Sequence, residues 1–195
     1  MTVIIDTGCA NLASVRFAFE RLGAPAHISA DADTILSAER VILPGVGSAQ
    51  AAMVQLEQRG LLPVLPRIEQ PLLGICLGMQ LLGERSDEGN TTLPGLLPFT
   101  TERLKVGDQP LPHMGWNTLE PVDHPLFAGI RKGDYVYFVH SYGVACSDLT
   151  LARCDYGQPF SASVGRGNIM GVQFHPERSG AVGARILKNF LEIPA

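Results

Sequence analysis

Long apolar runs, paired cysteines and clustered basic residues are all missing from this chain of 195 residues. No stretch approaches the roughly 18 apolar residues of a membrane helix. Asp6 ends the first apolar run before a signal-peptide core can form, so a cytosolic protein is expected. Lysines and arginines are scattered and the formal net charge is -4, which leaves no electropositive footprint for nucleic acid. Cys9, Cys76, Cys146 and Cys154 lie far apart with no CxxC pair, which argues against a disulfide framework and a zinc site. Four free thiols, mostly buried as small apolar residues, are expected, with no metal and no cofactor.

What is present fits one globular domain over residues 1–195: 46% of residues are hydrophobic and 17% charged, enough for a sizeable core. No linker, repeat or low-complexity segment divides the chain.

The first half alternates strand and helix patterns. Thr2–Ile5, Ala26–Ser29, Val41–Leu43 and Pro71–Ile75 read as strands. A helix capped by Asn11 is predicted to run to Leu22 and to close at Gly23, with further helices over Ala49–Gln58 and Leu77–Glu84. The second half reads mostly as strands: Arg103–Val106, Asp134–His140, Thr150–Cys154, Phe160–Val164 and Ile169–Phe174. A last helix spans Gly180–Leu191. The expected fold is α/β, an open and mostly parallel sheet with helices on both faces and an antiparallel edge.

Chemistry concentrates in two places. In Gly74-Ile75-Cys76-Leu77-Gly78 an apolar strand runs into a tight turn and then a helical pattern. This is the pattern of a nucleophile elbow with cysteine at its tip. The turn strains the central residue and brings its second neighbours into contact, so only glycine fits on either side. Cys76 then faces a helix N-terminus, which favours a thiolate, and the Leu77 amide is aimed where an oxyanion forms. A buried structural cysteine in a strand-to-helix connection is the plainer alternative for this motif alone.

The second place is Val172-Gln173-Phe174-His175-Pro176-Glu177. A cysteine nucleophile needs a base, and the base needs a group that orients it. Pro176 favours an extended His175, and in an extended segment residues i and i+2 share a side, which would bring Glu177 behind the ring. A surface histidine and a solvated carboxylate are the alternatives for these two residues taken separately. The two motifs together weigh against them.

These residues resemble the class I (triad) glutamine amidotransferases, whose nucleophile motif is similar to Gly74-Ile75-Cys76-Leu77-Gly78-Met79-Gln80 and whose His/Glu motif is similar to Val172–Glu177. The resemblance spans nearly the whole chain and implies that family's flavodoxin-like fold. It narrows to the glutaminase subunits of imidazole glycerol phosphate synthase through Leu43-Pro44-Gly45-Val46-Gly47-Ser48, Pro112-His113-Met114-Gly115-Trp116-Asn117 and Tyr137-Phe138-Val139-His140-Ser141-Tyr142.

The resemblance implies the following roles. Cys76 attacks the side-chain amide of L-glutamine to form a thioester, His175 carries the proton to departing ammonia, and Glu177 orients His175. Gly45, Val46 and Gly47 form an oxyanion strand acting with Leu77, and the strand needs a flip to become competent. Gln80, Glu88, Ser141 and Tyr142 grip the amino-acid end of glutamine. Asn11, Trp116, Tyr137 and Arg178 meet a cyclase subunit of (βα)8-barrel fold, which receives the ammonia in histidine biosynthesis as the other half of a heterodimer.

Other readings of the same residues remain in view. Pro44–Gly47 has the composition of an ordinary turn, Trp116 of a core residue, and Glu88 of a polar loop. His113 and His140 are expected to be structural. A glutaminase serving vitamin B6, anthranilate or p-aminobenzoate synthesis, an idle regulatory subunit and a cysteine peptidase are the rival functions. The family usually shows Asp-Tyr-Gly-x-Gly-Asn where this chain has Asp6-Thr7-Gly8-Cys9-Ala10-Asn11. Ala10 narrows the backbone options of that interface loop, and Cys9 is expected there as a small apolar filler.

Overall fold

The computed structural model describes residues 1–8 and 11–194, so the expectations for Cys9 and Ala10 fall outside the described residues. The first half builds β1 (Thr2–Ile5), α1 (Leu12–Arg21), β2 (Ala26–Ser29), α2 (Ala32–Leu36), β3 (Arg40–Gly45), α3 (Ala49–Gln58), β4 (Leu72–Cys76) and α4 (Leu77–Gln80). The second half builds β5 (Arg85–Ser86), β6 (Thr91–Thr92), β7 (Thr100–Arg103), β8 (His113–Thr118), β9 (Glu120–Pro121), β10 (Tyr135–His140) and β11 (Tyr142–Val144). β12 (Thr150–Asp155), β13 (Pro159–Arg166), β14 (Ile169–Val172) and α5 (Gly180–Glu192) complete it.

Local chemistry explains the helix starts. Asn11 accepts from the Ser14 amide, Asp31 from Thr34 and Ser48 from Ala51, each satisfying an amide that the first helical turn leaves free. α2 is absent from the predicted elements because five residues carry too little periodicity to read. The predicted helix Leu77–Glu84 stops at Gln80, where Leu82 and Gly83 turn back on the carbonyls of Met79 and Gln80. Phe99 packs on Gly83 so closely that a β-carbon there would lie 2.5 Å from its ring. The strand predicted at Arg103–Val106 lies earlier, at Thr100–Arg103, and β8 was not predicted.

The main sheet runs β2-β1-β3-β4-β14-β13-β11-β7-β5-β6. Its first five strands are parallel, and β13 and β11 continue it antiparallel. β8 and β10 form a separate antiparallel pair. Alternation along β1 sends Ile4 to one face, with Phe19 of α1 and Phe190 of α5, and sends Val3 and Ile5 to the other, with Ile35 of α2 and Leu56 of α3. Helices therefore cover both faces, as expected. Fully buried rings such as Phe19, Phe160, Phe174 and Phe190 each contribute roughly 2–3 kcal/mol of transfer free energy. No helix of the described residues is long and apolar enough to cross a membrane.

Candidate active site

The site forms where β3, β4 and β14 end together. Gly45 pairs with Cys76 across β3 and β4, and Val172 pairs with Ile75 across β14 and β4. The register thus delivers the nucleophile motif and the His/Glu motif to one edge, the usual location of sites in open α/β sheets.

Cys76 has φ 55° and ψ -113°, a conformation that costs a non-glycine residue of order 1–3 kcal/mol. The elbow is therefore real, and its glycines are sterically required. A β-carbon on Gly78 would lie 1.8 Å from the carbonyl oxygen of Leu43, and one on Gly45 would lie 2.9 Å from the Gly78 nitrogen. The strain keeps the Cys76 side chain at the first turn of α4.

The His175 ring donates from Nδ1 to Oε1 of Glu177 at 2.8 Å, and the Glu177 side chain is only 5% exposed. Pro176–Arg178 is a 3-10 turn and not the expected extended segment, so the turn, rather than strand alternation, brings the carboxylate behind the ring. Burial disfavours the charged imidazole, but hydrogen bonds with Cys76 and Glu177 and their negative charge outweigh it, lifting the His175 pKa to about 10. The arrangement is that of an imidazole braced by a buried carboxylate beside a cysteine on the same cavity wall.

A residue the sequence reading did not single out fixes the base in place. Ser179 is buried, donates from Oγ to the His175 carbonyl at 2.6 Å and accepts from the Tyr137 amide at 3.0 Å. The His175 amide in turn donates to the Tyr137 carbonyl at 2.9 Å. Nothing local in the sequence marks Ser179, because the Tyr137 amide that it receives lies on β10.

A cavity of about 300 Å³ opens over Cys76 and His175. Val46, Gly47, Leu77, Gln80, Glu88, Ser141 and Tyr142 all line it. The structure thus brings most of the predicted site residues together. Glu88 is half-buried, with its Oε2 accepting from the Ala49 amide at 2.8 Å at the start of α3. A second cavity of about 200 Å³ shares Val46, Val139 and His175 with the first and adds Asn11, Gly45, Glu177 and Arg178. Pro112 and Val139, which the sequence reading left without a role, also line the first cavity.

The remaining predicted residues lie on one surface. Trp116 is 55% exposed and packs edge-on against Tyr137, its partner across β8 and β10. The Arg178 guanidinium lies 4.7 Å from the Tyr137 ring centre. Trp116 is therefore not a core residue. His113 and His140 are buried, as expected of structural histidines, and burial holds their pKa values down at about 4 and about 3. Cys154 is buried and its thiol is pushed up to about 12 by desolvation, whereas Cys146 is exposed. No cluster of metal-ligating side chains occurs among the described residues.

An elbow cysteine, a paired histidine and a supporting glutamate on this sheet define a triad hydrolase of the amidotransferase kind. The sequence profile of Glutamine amidotransferase class-I matches residues 3–193, and the chain belongs to that family. Similar chains named imidazole glycerol phosphate synthase subunit HisH come from Shewanella loihica, Vibrio cholerae and Mannheimia succiniciproducens. The first is 52% identical, covering 100% of this chain and 91% of the relative. The second is 53% identical, covering 98% of each, and the third 55%, covering 97% and 98%. Two solved structures share the fold. One is a glutamine amidotransferase, with TM-score 0.76, 20% identity and 97% of each chain covered. The other is the glutaminase domain of Trypanosoma brucei CTPS with bound acivicin, with TM-score 0.65, 16% identity and 98% and 93% covered.

Proposed function

We propose that this chain, as one glutamine amidotransferase domain over residues 1–195, is the glutaminase subunit of an imidazole glycerol phosphate synthase. It hydrolyses L-glutamine to glutamate and ammonia for histidine biosynthesis. The observation that carries this reading is the triad itself, with Glu177 bonded to the His175 ring and with Cys76 and His175 lining one cavity of suitable size. The relatives' shared name supports the acceptor pathway.

In this mechanism the Cys76 thiolate attacks the amide carbon, and the oxyanion is held by the Leu77 amide and, after a flip of Gly45–Gly47, by the Val46 amide. The His175 imidazolium then donates its proton to the leaving ammonia. Water, activated by the now neutral His175, cleaves the thioester to glutamate and restores the pair. Gln80, Glu88, Ser141 and Tyr142 hold the amino-acid end of the substrate.

Ammonia is protonated and lost in free water, so a partner must receive it. We assign that role to a cyclase subunit of (βα)8-barrel fold, docked on Asn11, Trp116, Tyr137 and Arg178. The second cavity supports this, because it joins the His175–Glu177 pair to Asn11 and Arg178. Residence in the cytoplasm belongs to the same reading and fits the unpaired thiols of Cys76, Cys146 and Cys154.

The decisive experiment is co-purification with a cyclase followed by a glutamate-release assay. Cys76→Ala should abolish glutamine-dependent synthesis by the complex and leave synthesis from added ammonium salt intact. Glutamine-dependent synthesis surviving in that variant would end the reading.

A further inference from the structure

A chain of hydrogen bonds through buried side chains runs from β8 to the Cys76 sulfur, and the mechanism above leaves most of it without a role. Asn117 Nδ2 lies 3.2 Å from His113 Nε2, and His113 Nδ1 lies 2.9 Å from His140 Nε2. His140 Nδ1 reaches the Tyr142 carbonyl oxygen at 2.8 Å. Gln80 Nε2 donates to that same oxygen at 3.0 Å and to Gln173 Oε1 at 2.9 Å. Gln173 Nε2 ends the chain 3.8 Å from Cys76 Sγ.

The direction of every link is fixed. A carbonyl oxygen can only accept, so the His140 proton sits on Nδ1 and its Nε2 accepts from His113 Nδ1. His113 Nε2 is left to accept from Asn117. The Asn117 amide is oriented independently, donating to the Asp155 carbonyl at 2.8 Å and accepting from the Thr118 amide at 2.8 Å. Both rings are therefore neutral, in agreement with the burial that depresses their pKa values. Gln80 uses its amide nitrogen on Tyr142 and Gln173, so the accepting end of Gln173 faces Gln80 and its donating end faces the sulfur.

Gln80, His113, His140 and Gln173 are all buried, and such groups are costly unless paired. A paired chain this long does more than fill space when its last donor meets the nucleophile. As a thiol, Cys76 donates to the Val139 carbonyl at 3.7 Å. As a thiolate it can only accept, and the Gln173 amide stands ready with the His175 ring.

We propose that Gln173 is a further catalytic residue, whose amide N–H stabilises the Cys76 thiolate both before attack and as the leaving group of thioester hydrolysis. Gln80, His140 and His113 are positioning residues that lock the Tyr142 carbonyl and, through it, the Gln173 amide. This rests on the reading of Cys76 as the nucleophile.

The test uses the full chain, with iodoacetamide alkylation followed on the Cys76 peptide at neutral pH, and glutamate release measured in the complex with a cyclase. Gln173→Leu should slow alkylation by about three- to tenfold, the range for losing one long hydrogen bond of ordinary strength. It should lower kcat by a similar factor, with KM for glutamine changed by less than about twofold. His140→Leu should give a smaller loss, and His140→Asn, which keeps a donor toward Tyr142, should recover most of it. Should Gln173→Leu fail to fold, Gln173→Met removes the donor at similar length. Unchanged alkylation and kcat in the folded variant would overturn the proposal, as would a change confined to KM. If Cys76 of the unaltered chain were alkylated no faster than exposed Cys146, the nucleophile reading would fail instead.

Discussion

Gly74 and Gly78 meet across the turn that carries Cys76: a β-carbon on Gly74 would lie 2.6 Å from the carbonyl oxygen of Gly78. This contact lets the chain reverse from β4 into α4 within one residue. It also holds Cys76 at a φ of 55°, which a relaxed backbone would avoid. Nucleophile geometry and glycine sterics are therefore one feature, and substitutions at the glycines should affect stability and activity together.

Gly78→Ala is expected to destabilise the chain by about 3 kcal/mol or more, because the obstacle is the backbone oxygen of Leu43 and no rotamer can move it. Thermal unfolding combined with glutamate release checks this. A variant with unchanged melting and full activity would contradict the packing argument.

Glu177→Gln keeps the shape of the carboxylate and removes its charge. Glutamine hydrolysis should fall by roughly 10- to 1,000-fold, since the imidazolium loses its support. Glu177 also helps to raise the His175 pKa to about 10, so the upper limb of the pH–rate profile should move to lower pH in the variant. A pH–rate profile with an unmoved upper limb would show that another group sets it.

His113 and His140 should make the fold sensitive to acid. Their folded pKa values, about 4 and about 3, lie below the ordinary histidine value. As pH falls below about 6.5 the unfolded chain takes up protons that the folded chain refuses, and stability drops toward the folded values. The loss should reach about 2 kcal/mol for each ring by pH 5. His175 works in the opposite direction, because its raised pKa makes its contribution complete only below about pH 6.5, but this offsets less than about 1 kcal/mol of the loss between pH 7 and pH 5. Denaturant midpoints between pH 7 and pH 5 measure the slope, and the double variant His113→Gln, His140→Asn should flatten it.

Trp116→Ala should leave the melting temperature within a few degrees, because the ring is largely exposed. Binding to a cyclase should weaken by about 2 kcal/mol or more, the usual cost of removing an aromatic anchor. Titration calorimetry on the complex decides. Unchanged affinity would move the docking surface away from the β8–β10 pair.

Much of this was readable from the linear sequence where the physics is local. Asn11, Ser48 and the glycines around Cys76 announce helix starts and a tight turn within a few residues of themselves. β1 and β2 match their apolar runs residue for residue. The reading failed where distant packing intervened: Phe99 closes off the helix after Gln80, and the Pro176–Arg178 turn replaces an extended segment. Gln173 lay inside a motif already noticed, and a polar residue between apolar neighbours was the available signal. Ser179 gave none.

The chain by itself determined the chemistry available: one strained cysteine between glycines and one histidine followed by a glutamate. These are consequences of side-chain identity and short-range sterics. Only the tertiary structure decided that they meet, since pairing of β4 with β14 joins segments almost a hundred residues apart in register. It also decided which polar atoms face the sulfur, which rings are buried and neutral, and that Trp116 stands on the surface. Those properties depend on partners brought together by the whole sheet, and no short window of sequence contains them.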